Sequence, residues 1–179
     1  ILLFDIDVNK AKKVNYVSTA EDHEIAIHTA QEKIKPYLEK LGFNVDMVLD
    51  SGNGSQIYCK VNIDISTEEK REQFLAKIKV LEEDLRQFNN EVIGIDFISK
   101  DINRRVKLAG TINKKDTKQA EDRLAKILYL NDNIDTDKNN TAFESIKVTE
   151  QKQEQIETKP LEDKEIHTII NSNPKIKAL

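Results

Sequence analysis

The chain has 179 residues, room for one ordinary domain and a tail. Its 38% hydrophobic residues suffice for a globular core, and no apolar run approaches the ~20 residues that cross a bilayer, which argues against a membrane protein. The net charge of −4 excludes a uniformly basic nucleic-acid binder, although 34% of residues are charged and their distribution matters more than their sum. A single cysteine, Cys59, excludes an intrachain disulfide and suits a reducing, cytoplasmic setting. The chain opens at Ile1 inside an apolar run, so it reads as a piece of a longer protein.

Residues 1–7 read as a buried strand ending in Asp5-Ile6-Asp7. Ser18 and Glu21 have capping-box spacing and predict a helix starting near Thr19. Its apolar stripe is Ile27, Ala30, Ile34, Leu38 and Leu41; Pro36 should kink it or start a second helix, and Gly42 should stop it. Residues 45–49 read as a short strand, and 50–54 as a tight glycine-rich turn. Residues 57–63 alternate, with Ile57, Cys59, Val61 and Ile63 on one face and Tyr58, Lys60 and Asn62 on the other, so the pair forms a hairpin.

A second capping box, Ser66 with Glu69, predicts a helix with Leu75, Ile78, Leu81, Leu85 and Phe88 on one face. Residues 92–97 read as a strand, 103–113 as an irregular basic segment, and 117–130 as a third amphipathic helix with Leu124, Ile127 and Leu128 inward. The Asn/Asp-rich and Glu/Gln/Lys-rich stretch over 131–164 reads as a polar linker, and the apolar pattern over 165–179 as the beginning of a helical C-terminal region. Strand, helix, hairpin, helix, strand, helix predicts an α+β architecture over 1–130, a mixed sheet with helices packed on one face. Polymerase palms and RNA-recognition domains are built this way, so the layers alone choose no function.

Four features carry chemistry. Asp5 and Asp7, two apart on a strand, project to one face. Adjacent carboxylates repel, so such a pair suits a divalent cation, and a pair of ions ~4 Å apart is the standard device for nucleotidyl transfer. Asp96 lies inside an apolar run and needs a partner or a metal there, or else it ends its strand and faces water; it can join the pair only if its strand lies beside theirs. The turn Asp50-Ser51-Gly52-Asn53-Gly54-Ser55-Gln56 is either a plain hairpin turn or a backbone cradle for phosphate oxygens. Finally, residues 100–118 hold seven basic residues (Lys100, Arg104, Arg105, Lys107, Lys114, Lys115, Lys118) against Asp101 and Asp116, either a solvated basic loop or a strip for phosphates. His23 and His28 fall on a charged helix and read as surface residues, and no histidine has zinc-ligand spacing to Cys59.

In order and spacing these features resemble the archaeo-eukaryotic primase superfamily, specifically its bifunctional primase-polymerase branch known from plasmid, phage and CRISPR-associated systems. The first motif of that family, Asp-x-Asp after an apolar run, matches Phe4-Asp5-Ile6-Asp7. The second, Ser-Gly-Asn-Gly-x-His, matches Ser51 through Gln56, with Gln56 where the family usually has His. The third, an apolar residue then Asp, matches Ile95-Asp96, and the basic motif spans Asn103 to Asn113 with Lys107 and Ala109 in place of the usual Arg and Pro.

The resemblance implies an RRM-like or palm core and a template-dependent nucleotidyltransferase, a DNA primase, a DNA polymerase or both. It implies that Asp5, Asp7 and Asp96 hold catalytic Mg2+ or Mn2+. Ser51, Gly52, Asn53, Gly54 and Gln56 would line the incoming nucleotide, and Arg104 and Lys107 would neutralise its phosphates. Its partners would be nucleoside triphosphates, a single-stranded DNA or RNA template, and a helicase domain or other replication or CRISPR-associated component. Gln56 can donate a hydrogen bond but cannot act as a general acid near neutral pH. It therefore supports the alternative, a catalytically silent nucleic-acid-binding module on the same fold. A cyclase or phosphodiesterase would account for the three aspartates but not for the basic motif. Tyr58 is the one aromatic candidate for stacking a base on the sheet.

Overall fold

The structure, a computed structural model, describes residues 1–8, 18–97, 106–113 and 122–148. The first strand, β1 (Leu2–Val8), leads to a helical run made of α1 (Ala20–His28), one π turn (Thr29–Ile34) and α2 (Lys35–Lys40). β2 (Met47–Asp50) and β3 (Ser55–Cys59) form the hairpin, and α3 (Glu68–Leu85), a short 3-10 turn (Arg86–Phe88) and β4 (Ile93–Phe97) follow. A two-residue ribbon joins β5 (Ile112–Asn113) to β6 (Arg123–Leu124), then come β7 (Lys126–Leu130) and α4 (Thr136–Glu144).

The main sheet has the order β4-β1-β3-β2-β7, and all four pairings are antiparallel. The expected mixed sheet is corrected on this point: each helix returns the chain to a position one strand removed, so like-directed strands never touch. β1 and β2 run the same way with β3 between them, and β3 and β4 run the same way with β1 between them. Two split β-α-β units therefore interlock in an α+β layer architecture.

Alternation along the strands gives the sheet two unlike faces. Leu2, Phe4 and Ile6 of β1, Val48, Ile57, Cys59 and Ile93 are buried against Ala26, Ala30, Ile34 and Leu38 of the first helical run and Ile78, Leu81 and Leu85 of α3. Fully burying a large aliphatic side chain stabilises by ~1.5–3 kcal/mol, so this layer outweighs any local propensity in setting the register. The opposite face carries a smaller cluster, Leu3, Leu49 and Tyr58 with Met47 and Ala109. Residues 60–65 leave the strand conformation, yet Val61 and Ile63 stay on the helix side.

Local signals act within a residue of where the sequence places them. The first cap is Thr19, whose hydroxyl accepts from the Asp22 N–H while Asp22 accepts from the Thr19 N–H. The second is Thr67, which accepts from the Lys70 N–H. Pro36 sits at the start of α2 and the π turn lies just before it; a proline lacks an N–H and crowds the preceding turn, so the helix widens there rather than ending. On α3, Phe74 packs against the core while Leu75 is 38% exposed, one position away from the expected stripe.

Two further expectations about the elements fail. Residues 123–124 and 126–130 are strands, not the end of a helix: Leu124 and Ile127 are exposed, Ala125 is buried, and Leu128 and Tyr129 pack against the core layer. Lys126–Leu130 adds to the free edge of β2, and those ladder bonds override the helical spacing of its leucines. Residues 131–148, expected to begin the linker, instead carry α4, capped by Asp135, with Phe143 fully buried in the core and Asn139 bonded to Asn44 and Lys60. One compact unit spans Ile1–Val148. The rest of the expected linker and the region 165–179 lie outside the described residues.

Candidate active site

Because Leu2, Phe4 and Ile6 face the helices, Asp5 and Asp7 project from the opposite face of β1. The register of the central strand supplies their neighbours. Asp5 stands opposite Asp96 on β4 and opposite Gln56 on β3, and Asp7 stands opposite Gly94. Directly opposed residues of an antiparallel pair share a face with Cβ atoms ~4.5–5.5 Å apart. The three aspartates thus occupy one face of two adjacent strands, half-buried at Asp5 and Asp7 and exposed at Asp96.

Two amides meet the β1 carboxylates. Gln56 Nε2 donates to Asp5 Oδ1 at 3.2 Å, and Asn53 Nδ2 donates to Asp7 Oδ1 at 3.1 Å, where the Val8 N–H also donates at 3.0 Å. Among the described residues, no three His, Cys, Asp or Glu side chains gather closely enough to hold a metal ion. The donor set still fits a hard divalent cation in kind, being all carboxylate oxygen on one face of neighbouring strands.

Gln56 is buried, and the Tyr58 hydroxyl donates to its Oε1 at 2.6 Å. Burial, with the Asp5 charge adding to it, pushes Tyr58 up to about 12, so this hydroxyl keeps its proton at neutral pH. Tyr58 is only 9% exposed, which removes it as a platform for stacking a base.

The turn after β2 is built inward. Gly52 adopts φ +84°, a left-handed conformation that glycine reaches without steric cost, and a Cβ there would lie 2.8 Å from the Asn113 Cβ. Gly54 presses directly on β1: a Cβ would stand 2.2 Å from the Ile6 carbonyl oxygen and 3.1 Å from the Asp7 Cα. The Ser51 N–H donates to the Gly54 carbonyl, the Gly52 N–H to Asp50 and the Gly54 N–H to Ser51 Oγ. Those N–H groups close the turn, as in a plain hairpin, and are not held out toward a phosphate.

Around the turn lies a polar network that sequence reasoning did not find. Asn53 Oδ1 accepts from both the N–H and the hydroxyl of Ser18, each at 2.9 Å. Arg123, on β6, donates to Ser18 Oγ at 2.8 Å and to the Ser18 carbonyl at 3.0 Å. Asn113 Nδ2 donates to the Ser51 carbonyl at 2.9 Å. On the helix side, His23 Nε2 lies 2.7 Å from Asp50 Oδ1, with both side chains largely buried, so His23 is not the surface residue expected. Burial pushes the Asp50 carboxyl up, but the bonds from His23 and the Gly52 N–H outweigh it and hold Asp50 below the ordinary carboxylate range.

Of the basic motif, Arg104 lies outside the described residues. Lys107 is half-buried and donates to the Ile112 carbonyl at 2.8 Å, closing the segment on itself. Cys59 is buried, and burial pushes its thiol up, so it is an inert core group. No helix among the described residues is long and apolar enough to cross a membrane. No protein-family model matches the chain, and no curated protein and no solved structure matches it either.

Proposed function

We propose that the chain is the catalytic core of a primase-polymerase, a template-dependent nucleotidyltransferase that joins nucleotides on single-stranded nucleic acid, in a cytoplasmic setting. The observation that carries this reading is the register that sets Asp96 directly opposite Asp5, with Asp7 on the same face. Carboxylate oxygens gathered on one face of neighbouring strands are the donor type that a hard divalent cation takes. The interlocked β-α-β units, with the order β4-β1-β3-β2, support an RRM-like or palm reading of the fold.

In this reading Asp5, Asp7 and Asp96 hold Mg2+ or Mn2+, which when bound would lower the pKa of the attacking hydroxyl and offset charge on the phosphorus centre. The chain's own residues do the rest. Gln56 and Asn53 orient Asp5 and Asp7 through amide N–H donors, and the turn over 51–54 holds the end of β1 in place. Ser51 to Gly54 thus act on the carboxylates at least as much as on a nucleotide. Arg104 and Lys107 remain the proposed partners of the triphosphate.

A second reading is favoured by one observation: Asp5 and Asp7 already accept amide donors, as in a binding module that holds no ion. Nucleotide incorporation on single-stranded DNA with Mn2+ or Mg2+, with and without a primer, decides between them. The enzyme gives metal-dependent product that disappears in Asp7→Ala, and the unprimed reaction reports primer synthesis. A folded protein that binds single-stranded DNA and incorporates nothing would support the silent module.

A further inference from the structure

We propose that Arg123 is a positioning residue for Asp7, acting through Ser18 and Asn53. The inference rests on the reading of Asp7 as a metal-holding carboxylate. Arg123 can only donate, and it donates to the hydroxyl and the carbonyl of Ser18, with Nη1 also 3.4 Å from the Gly52 carbonyl. With its oxygen accepting from Arg123, the Ser18 hydroxyl turns its one hydrogen to Asn53 Oδ1. The Ser18 backbone N–H, which also can only donate, meets the same oxygen. The Asn53 amide therefore has one permitted orientation, and its nitrogen is the atom that faces Asp7 Oδ1.

The contacts run unbroken from the guanidinium on β6 through Ser18 and Asn53 to the carboxylate on β1. Ser18 is 2% and Asn53 4% exposed, so neither can turn to water without leaving a buried polar group unpaired. A guanidinium suits the position because its planar fork reaches two oxygens of one residue, which an ammonium cannot match. Residues 18 and 123 are far apart in sequence, and the link spans the segment that carries the basic motif. Its effect is to fix the direction in which Asp7 presents its second oxygen.

The test measures Mn2+ binding to the full chain by the paramagnetic resonance signal of free Mn2+, beside thermal unfolding, for the wild type, Arg123→Lys, Ser18→Ala and Asp7→Ala. Arg123→Lys keeps the charge and loses the fork; Ser18→Ala keeps Arg123 and the backbone contacts and loses the hydroxyl link. The proposal expects about a tenfold weaker Mn2+ affinity in each, and no further loss when the two are combined, because both break one path. If Arg123→Lys unfolds the protein, Ser18→Ala carries the test alone. Unchanged Mn2+ affinity in a folded Ser18→Ala protein, with binding abolished in Asp7→Ala, overturns the positioning role and leaves the metal site standing. Binding that survives Asp7→Ala, or no binding by the wild type, overturns the metal reading and the inference with it.

Discussion

Gly54 is the point at which the turn and the candidate carboxylates are mechanically joined, and replacing it by alanine is the sharpest perturbation of that joint. The added Cβ would stand 2.2 Å from the Ile6 carbonyl oxygen, where ordinary contact begins at 3.4 Å, so turn and strand must part by about 1 Å. The opposing atoms are backbone of β1, which is paired on both sides and has no side chain to rotate away. Overpacking of this kind costs ~1–3 kcal/mol, and a distorted ladder hydrogen bond about 1 kcal/mol more. A loss of roughly 3 kcal/mol lowers the melting midpoint of a chain this size by about 6–12 °C. Thermal unfolding followed by circular dichroism reads this directly, with Gly94→Ala as the control. Gly94 stands opposite Asp7 from the other strand, but a Cβ there meets nothing within 4 Å. A Gly54→Ala midpoint within about 2 °C of the wild type would refute the close packing of the turn on β1.

Other consequences can be measured alongside. Phe143→Ala should cost ~3–5 kcal/mol, because that ring is fully buried although it lies in a stretch with the composition of a linker; a loss below about 1 kcal/mol in chemical denaturation would return 131–148 to the solvent. Asp50 titrates below its ordinary value in the folded chain, so its contribution to stability is present above about pH 4 and is lost as pH falls through the folded value. His23→Ala removes the bond that does most to lower Asp50, so the Asp50 contribution at neutral pH and its loss in acid should both shrink, giving a flatter acid limb; denaturation curves from about pH 3 to 7 with the wild-type acid limb would contradict this. Gln56→Ala deletes the donor to Asp5 and should lower incorporation roughly ten- to a hundredfold, the effect of ~1–3 kcal/mol; undiminished incorporation would remove Gln56 from the site.

The strands that carry the aspartates were legible because their alternation is set by local chemistry: Phe4 and Ile6 against Asp5 and Asp7, Ile57 and Cys59 against Tyr58. The capping residues were legible to within one position, since Ser18 and Thr19, like Ser66 and Thr67, offer equivalent hydroxyls to the same turn. The segment 122–130 misled because Leu124, Ile127 and Leu128 mimic helical spacing, while the deciding contact, the free edge of β2, lies far away in sequence. α4 was hidden by its Asn and Asp content, and its inward residues include Asn139, a polar side chain satisfied only by distant backbone. For the site, spacing placed Asp5 and Asp7 together, but nothing local shows that Asp96 stands opposite Asp5. That Arg123 reaches Ser18 follows only from the folded chain.

The most direct measurement is the rate of Mn2+-dependent nucleotide incorporation by Asp96→Ala beside the wild type, with the melting midpoint taken on the same samples. Asp96 comes to the site through the β1–β4 register and is exposed, so its removal should cost about 1 kcal/mol of stability or less. The account predicts at least about a hundredfold loss of incorporation, the loss of ~2.7 kcal/mol of transition-state stabilisation, in a protein that melts as the wild type does. Wild-type incorporation by Asp96→Ala would contradict the carboxylate face as the seat of the chemistry.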